Sequence, residues 1–362
     1  MQLPAEMRRL AASDRAVFTA LFAVQHLLRN SRAVTEARDR ARDRLVGRLE
    51  AGGPGRVVPV DRHDALDPGE FRRRYLRRGR PVVISGGVGR AAALEDLSFE
   101  RLRQSHGAEM VKLVQKEGLT NEETRPDLEY SDVLPLSQVL DLVEAGDGEY
   151  LRFSPLLEQF PELLDHLDLA SFRRLVSDRW GFAFQLFIGG PHSSTPFHNS
   201  TIPFLYTQVA GTKRWKLVPN HYMAAMDPPA TRLQYSHSRA AVDLSNVDEL
   251  PWIGHVDHFE AVLEPGDVLF VPSWMWHGVE NLSATIGVRC GFMYPPGAVR
   301  ASATLTFLRV AACDPGPLRW LWYSYVKTNL PQRDDLLLTS RMIRQAERRP
   351  EHQERGVRAQ RP

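Results

Sequence analysis

Gly189-Gly-Pro-His-Ser-Ser-Thr195-Pro-Phe-His198-Asn-Ser200 and Glu264-Pro-Gly-Asp267-Val-Leu-Phe-Val-Pro272-Ser-Trp-Met-Trp276-His277-Gly-Val-Glu-Asn281 decide how this chain reads. Each stretch places a histidine near a strand edge, flanked by aromatic residues. Around them lie short runs rich in β-branched and aromatic residues, at 182–188, 204–210, 214–218, 261–263, 268–271 and 285–292. Gly189-Gly190, Ala210-Gly211-Thr212 and Glu264-Pro-Gly-Asp267 separate several of them. Many short strands between tight turns predict a closed or sandwiched β structure. His277 follows His198 by 79 residues, too far for a local metal motif. Strands on facing sheets bring such residues together, and two imidazoles in a dry aromatic pocket suit a divalent metal such as Fe(II).

Outside this region the texture is helical. Residues 1–52 read as a helical extension, with Val17, Leu21, Val24 and Leu28 forming one apolar stripe and Ser13 as N-cap. Arg8 and Arg9 precede an apolar run, but Gln25, His26 and the charged helix that follows argue against a signal peptide. The alternating charges of 38–48 fit a solvated helix face, and Gly52-Gly-Pro-Gly55 marks a boundary. Residues 71–80 read as a basic amphipathic helix whose six arginines form its wet side, and 81–85 as a short buried strand. From 97 to 175 helix and loop signals dominate. A helical segment is expected over 301–347 and a frayed polar tail over 348–362.

Composition narrows the function. With 43% hydrophobic residues the chain is not disordered. Its 46 basic and 44 acidic residues, for a net charge of +2, give no broad field for nucleic acid or anionic lipid. Cys290 and Cys313 are the two cysteines, which excludes a disulfide framework and suits a reducing, cytoplasmic setting. No run of 18 apolar residues suggests a membrane span. Lys stands only at positions 112, 116, 213, 216 and 327, and Arg fills the other basic positions.

Several motifs, in order, resemble a known family: Pro81-Val-Val-Ile84, Tyr150-Leu151, Thr195-Pro-Phe-His198, Gln208-Val-Ala-Gly-Thr-Lys213-Arg-Trp215, and Pro265-Gly-Asp267 with Pro272 and Trp276-His277. Over residues 57–300 the chain is similar to the JmjC-type, cupin-like 2-oxoglutarate oxygenases, nearest in pattern to their asparaginyl hydroxylase members. The resemblance implies a mainly β fold with helical additions: a double-stranded β-helix (jelly roll) between N- and C-terminal helices. It also implies Fe(II) bound by His198 and His277, with 2-oxoglutarate as cosubstrate held by Lys213, Thr195 and Tyr150. The family's carboxylate ligand falls at position 200, where this chain has Ser200. Phe204 and Gly291 also replace polar family residues. The implied substrate is a peptide side chain or small metabolite, and the terminal helices are where a homodimer would form.

Three functions follow: an oxygenase acting as a hydroxylase; a halogenase, because related halogenases lack the carboxylate; and a non-catalytic binding protein on a degenerate oxygenase fold. His192, His255 and His258 are candidate substitutes for the third ligand, each more simply read as a solvated loop histidine. Trp274 and Trp276 read as pocket wall or core, and Cys290 as a small core hydrophobe.

Overall fold

A computed structural model describes residues 3–28, 31–85, 95–114, 130–146, 150–154, 156–167, 169–176, 182–230, 236–238, 240, 244 and 250–312. Most of the segment expected to be helical over 301–347, and all of the tail, lie outside them. The strands are β1 (Val57–Pro59), β2 (Asp61–His63), β3 (Val82–Ile84), β4 (Met110–Val114) and β5 (Tyr130–Pro135). Next come β6 (Tyr150–Ser154), β7 (Phe182–Gly189), β8 (Ser194–Asn199), β9 (Phe204–Ala210) and β10 (Lys213–Val218). The last are β11 (Ser236–His237), β12 (His258–Leu263), β13 (Val268–Val271), β14 (Trp276–Asn281) and β15 (Thr285–Phe292). One sheet runs β1-β12-β10-β14-β8-β11, a second runs β2-β3-β13-β9-β15-β7-β6, and β4 pairs with β5. This is the expected double-stranded β-helix with helical additions.

Side-chain alternation explains the two layers. Phe204 and Tyr206 on β9 belong to the core between the sheets, while Leu205 and Val209 belong to a second core outside. On β15, Ile286, Val288, Cys290 and Phe292 face that outer core, and Cys290 is fully buried as expected. Val139, Leu140 and Val143 of the helix Leu136–Ala145 pack into the same layer. A sheet covered on both faces reads as near-continuous apolar runs, so its central strands were visible in the sequence.

The differences have local causes. Region 97–175 contains β4, β5 and β6 besides its helices. The expected helix at 71–80 is a π-helical turn over Phe71–Leu76. Its arginines are tied to neighbours: Arg74 to Glu70, Arg80 to Asp61, and Arg72 to the Leu175 carbonyl. The first helix, α1 (Ala12–Leu27), has Ala11 at its N-cap position rather than Ser13 and no side-chain cap. Val17, Val24 and Leu28 are exposed, whereas Phe18 and Phe22 are buried. Two aromatic rings remove more apolar area than a valine stripe, and they set the rotation of the helix.

The second helix, α2 (Arg32–Ala51), does not carry a purely solvated charge run. Arg38 is buried and donates to Asp227 Oδ1 at 2.8 Å, and Arg42 donates to Asp227 Oδ2 at 3.1 Å. A second clamp ties down the chain ahead of α1. The Arg8 guanidinium reaches Asp257 Oδ1 at 2.6 Å, and the Arg8 and Arg56 backbone N–H groups donate to the same carboxylate at 2.6 and 2.8 Å. Tyr222 adds its hydroxyl to Asp257 Oδ2 at 3.2 Å. Burial alone would raise the Asp257 pKa, but the Arg8 and Arg56 donors outweigh it and hold it below the usual value.

Removing one partner of such a pair strands the other charges. Asp257→Ala is expected to lower unfolding stability by about 3–5 kcal/mol, read from urea midpoints at pH 7. Because the folded pKa is depressed, the carboxylate's contribution is full above about pH 4 and is lost as pH falls through the folded value. Asp257→Asn should therefore flatten the acid limb of the stability profile, and an unchanged limb would exclude this role.

Candidate functional site

Lys213, at the start of β10, is fully buried between the two sheets. Its ammonium crosses to the seven-stranded sheet, donating to Tyr206 Oη on β9 at 2.7 Å and to Tyr150 Oη on β6 at 3.3 Å. Thr195 on β8 hydrogen-bonds the Tyr150 hydroxyl in turn. Desolvation lowers the Lys213 pKa, partly opposed by Tyr150. Burial pushes Tyr150 upward, but the nearby charges of Lys213 and Arg152 win and its pKa falls. The Arg152 guanidinium lies 4.6 Å from the Tyr150 ring centroid, donates to the Ser194 carbonyl, and is pushed down to about 10 by burial.

Room for this arrangement comes from Gly287 on β15. A Cβ there would lie 2.0 Å from Tyr206 Oη, so any side chain would displace the tyrosine that receives Lys213.

Further along the cavity sit the histidines. β14 and β8 pair in the register His277↔His198, with ring centroids 4.1 Å apart. In each imidazole Nδ1 lies within hydrogen-bond reach of the carbonyl two residues earlier, Pro196 for His198 at 2.9 Å and Met275 for His277 at 3.0 Å. With those carbonyls accepting, the proton sits on Nδ1 and each Nε2 lone pair is free. Burial holds the His198 pKa well below 6.5, reinforced by His277 and His237, and burial takes His277 down to about 4. Both rings are neutral at pH 7, the form that binds metal. Phe204 and Trp215 pack on His277, at 5.4 and 5.9 Å between centroids.

Tyr150, Thr195, His198, Ser200, Lys213 and His277 all line this one cavity, and none of the described residues lining it is acidic. Ser200 also has a structural role. Its Oγ accepts from the Ile202 N–H at 3.0 Å, and its carbonyl accepts from the Trp274 N–H at 2.7 Å. The residue joins the end of β8 to the turn before β14, where Trp274 holds a left-handed φ of 60°. Asn199, its neighbour, does not line the cavity.

The proposed substitute ligands lie elsewhere. His192 is exposed on a turn, His255 Nδ1 contacts the Gly53 carbonyl, and His258 Nδ1 contacts that of Val256. Sequence reasoning missed Tyr206, Arg152, Arg289 and His237. Tyr206 had a signal, since it lies two residues from Phe204 and shares its face of the strand. Arg289 lines the cavity, donates to Gln185 Oε1 at 2.9 Å and stacks 4.7 Å from the Phe204 centroid.

A closed pair of sheets with two metal-competent imidazoles and a buried cation inside defines the chain as a cupin-type β-barrel protein. Residues 68–294 match the cupin-like domain family, and the chain belongs to that family. It is 25% identical over 242 residues to lysine-specific demethylase 8 of Danio rerio, covering 65% of this chain and 58% of that protein. It is 24% identical over 233 residues to lysine-specific demethylase JMJ30 of Arabidopsis thaliana, covering 63% and 53%. It is 26% identical over 260 residues to tRNA wybutosine-synthesizing protein 4 of Neurospora crassa, covering 66% and 20%. The match thus spans little more than half the length of the two demethylases.

Two imidazoles with free Nε2 atoms fit a divalent ion; the Ser200 hydroxyl, neutral and hydrogen-bonded to Ile202, is a weaker oxygen ligand than a carboxylate. Ser200→Ala is expected to cost about 1 kcal/mol in a denaturant titration while changing metal affinity less than about threefold. Gly287→Ala should be worse, lowering stability by about 1–3 kcal/mol through overpacking against Tyr206.

Proposed function

We propose that this protein is an Fe(II)- and 2-oxoglutarate-dependent oxygenase, a hydroxylase of a peptide side chain or small metabolite. One observation carries the reading: a buried ammonium with no acidic partner among the described residues of the cavity that also holds two neutral imidazoles. A lone buried ammonium is strongly disfavoured, and an anion beside it restores the balance. Lys213 pairs with Asn281 across the β10–β14 ladder, and His277 pairs with Leu217 four residues further along. The two stations are therefore about 13 Å apart along the strand at Cα level. In this reading a short dicarboxylate spans the distance between the side chains that reach inward from both.

In this reading His198 and His277 hold the iron through Nε2. Lys213, with the Tyr150 and Thr195 hydroxyls, binds the distal carboxylate by charge-assisted hydrogen bonds. Phe187, Phe204 and Trp215 keep water from the space between. With iron and 2-oxoglutarate bound, dioxygen would be the oxidant: one of its oxygen atoms would enter a substrate C–H bond and the other would enter succinate, with carbon dioxide released. Arg289, held by Gln185 at the same cavity, adds a second positive charge to its lining. The family membership and the demethylase relatives support the oxygenase class; the substrate rests on the proposal.

Lys213→Met keeps much of the side-chain volume and removes the charge. Calorimetric titration of 2-oxoglutarate into anaerobic, Mn(II)-loaded protein should give binding about 30- to 150-fold weaker in the variant, equivalent to about 2–3 kcal/mol. Equal affinity in the two proteins would sink the carboxylate assignment. Binding without oxygen-dependent formation of succinate from Fe(II)-loaded protein would favour a non-catalytic binding protein instead.

A further inference from the structure

The six-stranded sheet carries a third histidine in line with the other two. β11 pairs with β8 in the register His237↔His198, and β8 pairs with β14 in the register His277↔His198. Residues directly opposite on neighbouring strands share one face of a sheet, so His277, His198 and His237 form a row across three strands. The His237 ring centroid lies 6.2 Å from that of His198, with the rings 31° from parallel. Among the described residues no group of three His, Cys, Asp or Glu side chains has the spacing of a closed metal site. The row is two tight positions and one open one.

Three features favour closing it with His237. The family's carboxylate position is taken by Ser200, whose hydroxyl is engaged with the Ile202 N–H. His192, His255 and His258 are placed elsewhere, two of them with Nδ1 at backbone carbonyls. The His237 imidazole makes no hydrogen bond to another described residue and is only partly buried, so among the described residues a change of rotamer gives up no hydrogen bond. Cross-strand neighbours have Cβ atoms about 4.5–5.5 Å apart, close enough for both imidazoles to reach one ion after such a turn.

We propose that this chain binds its divalent metal through three histidines, His198, His277 and His237, with the His237 ring swinging in to take the place of the missing carboxylate. The inference rests on the metal-site reading above and deepens it. Exchanging a carboxylate for an imidazole leaves the site one unit more positive, which favours an anionic ligand beside the ion. It also makes Ser200 a bystander to metal binding.

The test counts imidazoles directly. Tag-free apo-protein is loaded with one equivalent of Cu(II), and electron spin-echo envelope modulation reports the number of coordinated imidazole rings. Mn(II) affinity is measured in parallel by anaerobic calorimetry for wild type, His237→Ala, His237→Gln and Ser200→Ala, with far-UV circular dichroism to confirm folding. The expected result is three imidazoles in wild type and two in both His237 variants, with Mn(II) binding weakened at least about tenfold, and Ser200→Ala close to wild type. Wild type that binds the ion with two imidazoles, and His237 variants of unchanged affinity, would overturn the three-histidine site while leaving the oxygenase reading in place. Wild type that binds neither ion would overturn both. The wild-type count needs no variant, so misfolding of a substituted protein does not blunt the test.

Discussion

A charge buried between two sheets is the constraint around which this fold is arranged. Removing an ammonium from water costs several kcal/mol even after relaxation, so the groups that receive it cannot be casual. Lys213 starts on one sheet and finds its hydroxyl partners on the other. That crossing requires Tyr206 to stand in the lumen, and Tyr206 in turn requires a residue without a side chain at Gly287. Thr195 then ties Tyr150 to the strand that carries His198. The cation, the hydroxyls and one metal-competent histidine are thus parts of one packed unit. The scarcity of lysine acquires a physical sense here. A forked guanidinium is broader than an ammonium, and arginine at this position would have five donors to satisfy in a lumen that offers two phenols.

The histidine end is organised by more local means. His198 and His277 both have Nδ1 at the carbonyl two residues earlier, and the same pattern occurs in His258 outside the cavity. That contact therefore prepares an imidazole without saying what it is for. Register supplies the rest, because antiparallel pairing of β8 with β14 sets the two rings side by side. Ser200 supports this pairing through its carbonyl and hydroxyl.

Which features were readable from the chain follows from where each strand lies. The central strands of the seven-stranded sheet are buried on both faces and carry long apolar runs, so 204–210, 268–271 and 285–292 stood out. β8 could not, since Ser194, Thr195, Pro196 and Asn199 read as a turn. Its polarity belongs to the cavity it lines. Motif order brought Tyr150, Thr195, His198, Lys213 and His277 to one place because each sits at a fixed point of a strand ladder. Arg152 and His237 were not legible. Their positions depend on which strands become neighbours across the sheet, and β11 is two residues long within a polar stretch. The rotation of α1 was misjudged for a related reason: spacing gives a stripe, but the size of Phe18 and Phe22 chooses the face.

The two acid–arginine clamps bear on what counts as the smallest viable piece of this protein. The family match begins at residue 68, after both N-terminal helices. Asp257 and Asp227 lie inside the matched region, yet their guanidinium partners Arg8, Arg38 and Arg42 lie before it. A fragment cut at the family boundary would keep two almost fully enclosed carboxylates and discard the guanidinium groups of Arg8, Arg38 and Arg42 that pair with them. The unit defined by common ancestry is therefore smaller than the unit that can close electrostatically. The helices ahead of the barrel are part of its interior chemistry even though they contribute nothing to the lining of its cavity.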